Sequence, residues 1–210
     1  MSTPASTLRE LNLAQKVSET DDFTERRYHQ FAARLQHARK VLDVGCGVGR
    51  GGRALRATGP DLELDGVEFV PERVAAIPDG IYDQVFTASL EDIDGADAYD
   101  AIVAGELIEH IPYDKLDAFL GAVRRLLAPG GVFLLTTPNP HYFLLGRRGG
   151  GSVVGGSHVS VHCPEALAQY LRYREFHVRQ VTGSGRMTRW LGERWPLLCY
   201  GSYLLVAQVV

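Results

Sequence analysis

The 210-residue sequence has few cysteines, no long apolar run and no excess of positive charge. Its three cysteines, Cys46, Cys163 and Cys199, are too few and too scattered for a disulfide framework, and no CxxC pair indicates a zinc site. No segment approaches the roughly 18 to 20 apolar residues that span a bilayer, and the N-terminus has no apolar signal-peptide core. We therefore expect a soluble, cytoplasmic protein in a reducing compartment, without a membrane partner.

The net charge of -3 argues against a protein whose main task is to bind nucleic acid. The charge is unevenly distributed, because residues 139–210 contain eight arginines, no lysine and three glutamates, and so carry +5. An acidic substrate near the C-terminal part is compatible with this asymmetry, although a solvated basic surface explains it equally. The 23 glycines concentrate in residues 45–52 and 146–156, which indicates functional loops.

Short apolar segments alternate with helical patterns along most of the chain. Five strands are predicted at residues 41–44, 62–67, 84–88, 99–104 and 131–137, and helices between them imply a parallel sheet. Two more strands, at residues 177–182 and 202–210, complete a doubly wound, mostly parallel seven-stranded α/β sheet. Helices predicted at 7–17 and 22–39 make up an N-terminal helical cap, which consists of residues 1–39. We expect this cap to cover a ligand rather than to complete the core of residues 40–210.

The glycine-rich segment VLDVGCGVGRGG follows the first strand. A buried-type strand ends near Asp43 and continues into Gly45, Gly47 and Gly49 just before a helix, so a ligand can contact the backbone and the helix N-terminus. The spacing lacks the Gly-x-x-Gly of a dinucleotide site, which argues against a dehydrogenase. Glu68 follows the second strand about 20 residues later, where a carboxylate can accept both hydroxyls of a ribose.

Five motifs in register resemble the class I S-adenosylmethionine-dependent methyltransferases: VLDVGCGVGRGG, LDGVEF, TASLEDI, YDAIVAGELIEHI and LLAPGGVFLLTTPNP. The resemblance covers residues 40–139 well and the remainder loosely, and it implies a Rossmann-like fold that binds S-adenosylmethionine. The implied cofactor residues are Asp43, Gly45, Cys46, Gly47 and Gly49 at the methionine end, Glu68 at the ribose, Ser89 and Leu90 at the adenine, and Ala104 and Gly105 beneath the sulfonium. Glu91 and Asp92 are alternatives to Ser89.

Glu106, Glu109 and His110 follow the fourth strand, at the edge where open parallel sheets bind ligands. Their i, i+3, i+4 spacing predicts that all three share one face of a helical turn. Two carboxylates and an imidazole suit a hard divalent metal ion. The ExxEH pattern also resembles two methyltransferase subgroups, the ubiquinone-pathway O-methyltransferases and the enzymes that methylate the terminal 2'-hydroxyl of small RNAs. In the second subgroup a later histidine joins the metal, and His158 has the matching place.

This resemblance implies Mg²⁺ held by Glu106, Glu109, His110 and His158. The predicted function is methyl transfer to a hydroxyl of a small metabolite, with a saccharide favoured because HVSVHCP and the Gly-Arg loop suggest a polar entrance. The alternatives are metal-independent O- or N-methylation with His110 as base, terminal RNA methylation, and a binding protein that has lost its chemistry. His141 and His162 are reserve bases. The oligomeric state stays open, with a homodimer as one alternative.

Overall fold

The protein is described here by a computed structural model that covers residues 22–59, 61–145 and 157–210, together with residues 10, 13 and 153. The predicted helix at 7–17 and the Gly-rich loop at 146–156 lie almost entirely outside these residues. Among the described residues, no helix combines the length and the apolar character needed to cross a bilayer.

Helices and strands alternate in the order that the apolar pattern predicts. The helices are α1 (Phe23–Ala32), α2 (Arg50–Thr58), α3 (Pro71–Val74), α4 (Tyr113–Leu126), α5 (Pro164–Tyr173) and α6 (Thr188–Leu191). The strands are β1 (Lys40–Val44), β2 (Glu63–Val67), β3 (Gln84–Phe86), β4 (Tyr99–Gly105), β5 (Leu127–Pro138), β6 (Phe176–Ser184) and β7 (Ser202–Val209). Short 3-10 helices cover Leu90–Asp92, Ile108–His110 and Leu197–Cys199.

The seven strands form one sheet in the order β3-β2-β1-β4-β5-β7-β6. Strands β1 to β5 are parallel, whereas β7 runs antiparallel to both β5 and β6. The predicted seven-stranded, mostly parallel, Rossmann-like sheet with a terminal hairpin is confirmed. Because the strand order reverses between β1 and β4, the loops that leave these two strands diverge and open a crevice at the carboxyl edge of the sheet.

The junction between α4 and β5 differs from the prediction. Helix α4 ends at Leu126, and β5 begins at once at Leu127 instead of residue 131. Pro129 biases the residue before it towards an extended conformation, so the chain enters the strand as soon as the helix stops. The extension brings Leu127 opposite Tyr99, and the register shifts between Tyr99 and Ala101.

Helix α1 belongs to the core on one face of the sheet. Tyr28, Phe31 and Leu35 are 4%, 0% and 5% exposed, and they pack in one cluster with Leu64 and Leu204 of the sheet. The expectation that the N-terminal segment does not complete the core is therefore wrong for residues 22–39. The division between residues 1–39 and 40–210 stays a prediction.

A buried carboxylate joins this helix to the sheet. Asp43, at the end of β1 and fully buried, accepts hydrogen bonds of 2.6 Å from the hydroxyls of Tyr28 and Tyr82. Burial raises the pKa of Asp43 to about 7, although both tyrosine hydroxyls favour the charged form. Burying this carboxylate costs free energy. The two tyrosine hydrogen bonds offset that cost only while both rings remain in place.

Two glycines of the cluster at 45–52 make room for these tyrosine rings. A Cβ atom on Gly51 would lie 2.1 Å from the Tyr28 ring, and one on Gly52 would lie 2.3 Å from the Tyr82 ring. Both glycines are in the first turn of α2. Larger residues at these positions would hold the helix away from the two rings. This part of the cluster thus serves packing, and of its glycines only Gly45, Gly47 and Gly49 were predicted to bind a ligand.

Replacing Gly51 with alanine should destabilise the protein by about 1 to 3 kcal/mol, because the new methyl group overlaps the Tyr28 ring. The matched control is Gly121→Ala within α4, where the added Cβ meets only the end of the Arg174 side chain at 3.3 Å. The control should leave the free energy of unfolding unchanged or raise it by up to about 1 kcal/mol. Urea unfolding of the two variants measures the difference, and equal effects would contradict the close packing of Tyr28.

The stability of the ligand-free protein should fall as pH rises from about 4 to about 7. The folded-state pKa of Asp43 is raised from 3.8 to about 7, so its contribution is fully present below the unfolded pKa and is lost above the folded one. Asp43→Asn, which stays neutral, should remove a difference on the order of 2 to 4 kcal/mol across this window. Urea unfolding of both proteins at several pH values tests this, and parallel pH profiles would contradict it.

Candidate functional site

A pocket of about 580 Å³ lies in the crevice at the carboxyl edge of the sheet. Its walls come from the loops after β1, β2, β3 and β4 and from helices α1 and α4. The predicted residues among its lining are Gly45, Cys46, Gly47, Glu68, Ser89, Leu90, Gly105, Glu106 and His110. Four separate sequence segments therefore converge on one cavity, as the order of the motifs predicts.

The loop after β1 has a conformation that depends on glycine. Gly45, Gly47 and Gly49 all have positive φ angles, of 71°, 57° and 83°. A side chain on Gly45 would also meet Leu107 at 2.7 Å, so the close approach of the two loops needs a glycine here. The backbone N–H groups of Gly45 and Cys46 donate to the carbonyl of Val67, which fixes the loop against β2.

Glu68 is buried beside this loop and holds it in place. Its Oε2 atom accepts a 3.0 Å hydrogen bond from the Gly47 amide, and its Oε1 atom accepts a 2.8 Å bond from the Val70 amide. Arg73 lies 3.9 Å from Oε2. The carboxylate therefore lines the pocket in a fixed orientation and keeps lone pairs that can accept from a ligand hydroxyl.

The remaining predicted cofactor residues divide into two groups. Ser89 and Leu90 line the pocket, and so do Glu91 and Asp92, the predicted alternatives to Ser89. The pocket-lining residues do not include Asp43, Gly49 or Ala104. Asp43 and Ala104 are almost fully buried beneath the surface, and Gly49 precedes the first residue of α2. These three can act only by supporting the residues that line the cavity.

Glu109, His110 and His158 come together beside the pocket. One potential ligand atom from each lies within 4.8 Å of the others. Glu109 is 2% exposed, and its Oε1 atom has no hydrogen-bond partner among the described residues, as is also true of His158 Nδ1. Buried polar atoms without partners are rare in proteins, and here they belong to residue types that bind divalent cations.

The surroundings of the cluster orient its side chains. Nδ1 of His110 lies 3.0 Å from the Ser157 carbonyl oxygen, so this nitrogen carries the proton and Nε2 is the one that can act as ligand or base. Thr137 donates a 3.0 Å hydrogen bond to the second carboxylate oxygen of Glu109. The two histidine rings meet edge to face with centroids 4.9 Å apart. The residues present therefore fit a divalent cation.

Burial controls the charge of this cluster. It lowers the pKa of His110 to about 4, and nearby His158 contributes to the shift. It also raises the pKa of Glu109 well above its usual range, with the charge of Glu106 as the second cause. A neutral imidazole is the form that binds a metal ion, whereas a histidine with so low a pKa is a weak general base at neutral pH.

Glu106 does not join the group, although the sequence predicts that it shares a helical face with Glu109 and His110. Its φ angle is +53°, and the 3-10 helix begins only at Ile108, so the three residues are not on one regular turn. The Glu106 carboxylate lies 3.4 Å from Arg27 Nε and accepts a 3.2 Å hydrogen bond from Ser202 Oγ. Of the four predicted ligands, three converge and Glu106 pairs with a cation of α1 instead.

The two reserve histidines do not belong to this cluster. His141 is exposed and lies 3.4 Å from Glu165. His162 is buried and its Nε2 atom is hydrogen-bonded to Ser160 Oγ at 2.8 Å. Neither histidine is among the described residues that line the pocket. Their packing and exposure thus indicate ordinary structural positions.

Helix α1 contributes to the pocket, as expected of an N-terminal segment that covers a ligand, but the sequence did not single out Thr24 or Arg27. Thr24 and Arg27 line the cavity beside Tyr28. Arg27 stands four residues before Phe31, so the two share a helical face, and a cation on an apolar face was the available signal. Arg73 and Lys115 also line the pocket, and the sequence holds no comparable signal for them.

The profile of a family described as "Methyltransferase domain" matches residues 17–181. The chain is 33% identical over 140 residues to a fatty-acid O-methyltransferase of Mycolicibacterium smegmatis, covering 60% of this chain and 48% of that protein. It is 30% identical over 154 residues to a ubiquinone biosynthesis O-methyltransferase of Xanthomonas axonopodis pv. citri, covering 69% and 60%. The chain thus spans about half to two thirds of the length of these relatives.

A solved structure supports the same fold. The chain is similar to magnesium protoporphyrin IX methyltransferase of Synechocystis PCC 6803 with bound S-adenosylhomocysteine, with a TM-score of 0.67 at 17% identity, over 98% of this chain and 94% of that protein. The family profile covers most of the chain, and the sheet order and the glycine loop agree with it. The chain belongs to the methyltransferase domain family, in the class I fold.

Proposed function

We propose that the protein transfers a methyl group from S-adenosylmethionine to a hydroxyl of a small acceptor, assisted by a divalent metal ion such as Mg²⁺. The observation that carries this proposal is one crevice in which the glycine loop and Glu68 stand beside the cluster of Glu109, His110 and His158. The names of two relatives, both O-methyltransferases, and the S-adenosylhomocysteine in a structural neighbour support it.

The cofactor would bind along the glycine loop. Glu68 would accept hydrogen bonds from the ribose hydroxyls, since two backbone amides already fix its orientation. The wall formed by Ser89, Leu90 and the two following acids would surround the adenine. Burial keeps the Cys46 thiol protonated by raising its pKa, so this side chain would serve as a small neutral part of the lining rather than as a nucleophile.

Methyl transfer from a sulfonium is an in-line displacement with a neutral thioether as leaving group. The protein therefore needs chiefly to hold the nucleophile against the methyl group, and no general acid is required. A hydroxyl acceptor must also lose its proton, and a bound divalent ion would lower its pKa. Glu109 and His110 would hold that ion in orientations fixed by Thr137 and Ser157, with His158 as the third ligand.

The acceptor class depends on the surroundings of residues 158–164. The sequence favoured a saccharide because HVSVHCP, at residues 158–164, and the Gly-Arg loop suggested a polar entrance, but Ser160 and His162 are buried and hydrogen-bonded to each other. A hydroxylated metabolite, including a saccharide, remains our proposal. Assays with sugars, phenols, amines and an RNA 3' end, with and without EDTA, distinguish it from N-methylation and from terminal RNA methylation.

Glu68→Ala should weaken the binding of S-adenosylhomocysteine by about tenfold or more. Each charge-assisted hydrogen bond to the ribose contributes roughly 1.5 to 3 kcal/mol, and the variant also frees the Gly47 amide. Titration calorimetry measures the dissociation constant, and Asp79→Ala, an exposed acid on the following segment, serves as the control. Unchanged affinity in Glu68→Ala would contradict a ribose site at this carboxylate.

His158→Ala and Glu109→Gln should each weaken the binding of Mg²⁺ or Mn²⁺ by about tenfold or more, and methyl transfer should be lost with EDTA and restored by the ion. His141→Ala, a histidine outside the cluster, is the matched control and should bind the ion as the wild type does. Calorimetry with the metal alone gives a readout independent of turnover. If EDTA-treated enzyme retains its rate and only His110→Ala is inactive, His110 is a general base and the metal proposal fails.

A further inference from the structure

The segment between β6 and β7 exposes unusually large apolar side chains. The sequence has two tryptophans, and both lie here, with Trp190 76% and Trp195 56% exposed. Leu198 is 49% exposed, and its carbonyl accepts a hydrogen bond from the amide of Phe143, which is itself 55% exposed. Four exposed large apolar side chains on one short segment and the residue bonded to it indicate an interaction surface.

Positive charge accompanies these side chains. Arg186, Arg189 and Arg194 are exposed, and Arg189 lies over the Trp190 ring at 5.5 Å. Glu193 is the one acid in residues 186–198 of the sequence. It forms an ion pair with Arg34, which follows α1 in the chain. The segment thus combines interfacial tryptophans with arginines whose charge no acid of the same segment neutralises.

We propose that residues 186–198, with Phe143, form a docking surface for an anionic lipid membrane. Tryptophan favours the boundary between headgroups and acyl chains, and arginines near the surface are attracted by anionic lipids. A second copy fits less well, because a symmetric dimer through this segment would set arginines against arginines. Single-stranded nucleic acid could stack on the three exposed rings, but it would leave the aliphatic Leu198 unused, so it is kept as an outcome of the test.

The topology puts this docking surface beside the pocket. Strand β7 is antiparallel to both β5 and β6, so β6 ends at the same edge of the sheet as the parallel strands. Ser202, which follows the segment, donates to Glu106 of the pocket lining at 3.2 Å. Docking would bring the pocket to the membrane, which suits an acceptor with an apolar tail. This last step rests on the proposed methyl transfer, whereas docking itself does not.

The absence of a membrane-spanning segment led the sequence analysis to expect no membrane partner. Only insertion across a bilayer requires such a segment, whereas a protein surface that binds to the face of a bilayer does not.

Vesicle binding tests the proposal without cofactor or acceptor. Because both tryptophans lie on the docking surface, their fluorescence should shift to shorter wavelength with vesicles of phosphatidylcholine and phosphatidylglycerol, and much less with phosphatidylcholine alone. Added salt should weaken binding. Co-sedimentation of Trp190→Ala/Trp195→Ala and of Arg189→Glu/Arg194→Glu should show partitioning reduced about tenfold or more.

The matched controls are Tyr173→Ala and Arg172→Glu, an exposed aromatic and an exposed arginine near the start of β6, at the opposite edge of the sheet. They should partition like the wild type, and all variants should keep the wild-type urea midpoint. The proposal is overturned if the mixed vesicles produce neither a shift nor co-sedimentation, or if the control variants are weakened equally. It is also overturned if a single-stranded RNA or protein self-association alone accounts for the fluorescence change.

Discussion

The buried carboxylate of Asp43 is the interaction on which the arrangement of the site depends. It joins Tyr28 of α1 and Tyr82, which precedes β3, to the end of β1. The same two rings rest against Gly51 and Gly52, so they determine how closely α2 approaches the sheet. The glycine loop lies between Asp43 and α2. Its shape therefore follows from a hydrogen-bonded network beneath it as much as from its own glycines.

The network also explains why α1 contributes to the pocket. Tyr28 is held on the sheet through its hydroxyl, and Arg27, the preceding residue, is thereby brought next to Glu106. An ion pair at the rim thus depends on a hydrogen bond in the core. A helix that lay only on the surface could not position a cation in this way, because nothing would fix its rotation relative to β4.

The sheet and most of the cofactor wall could be predicted because they depend on local patterns. Strand periodicity, the glycine spacing and the distance to Glu68 all appear within short stretches of sequence. The partners of Asp43 could not be predicted, since Tyr28 and Tyr82 are separated from it by 15 and 39 residues. For the same reason the ExxEH spacing predicted a shared helical face, whereas the positive φ angle of Glu106 reflects contacts with two distant segments.

The two glutamates of that motif differ in their surroundings, and the difference explains the position of the proposed cation site. Glu106 has Arg27 beside it, so its negative charge is already balanced. Glu109 is buried, receives a hydrogen bond from Thr137, and retains one oxygen without a partner among the described residues. A carboxylate removed from water requires either a proton or a cation. His110 and His158 beside Glu109 provide nitrogen ligands, so a divalent ion is the group that would satisfy all three side chains together.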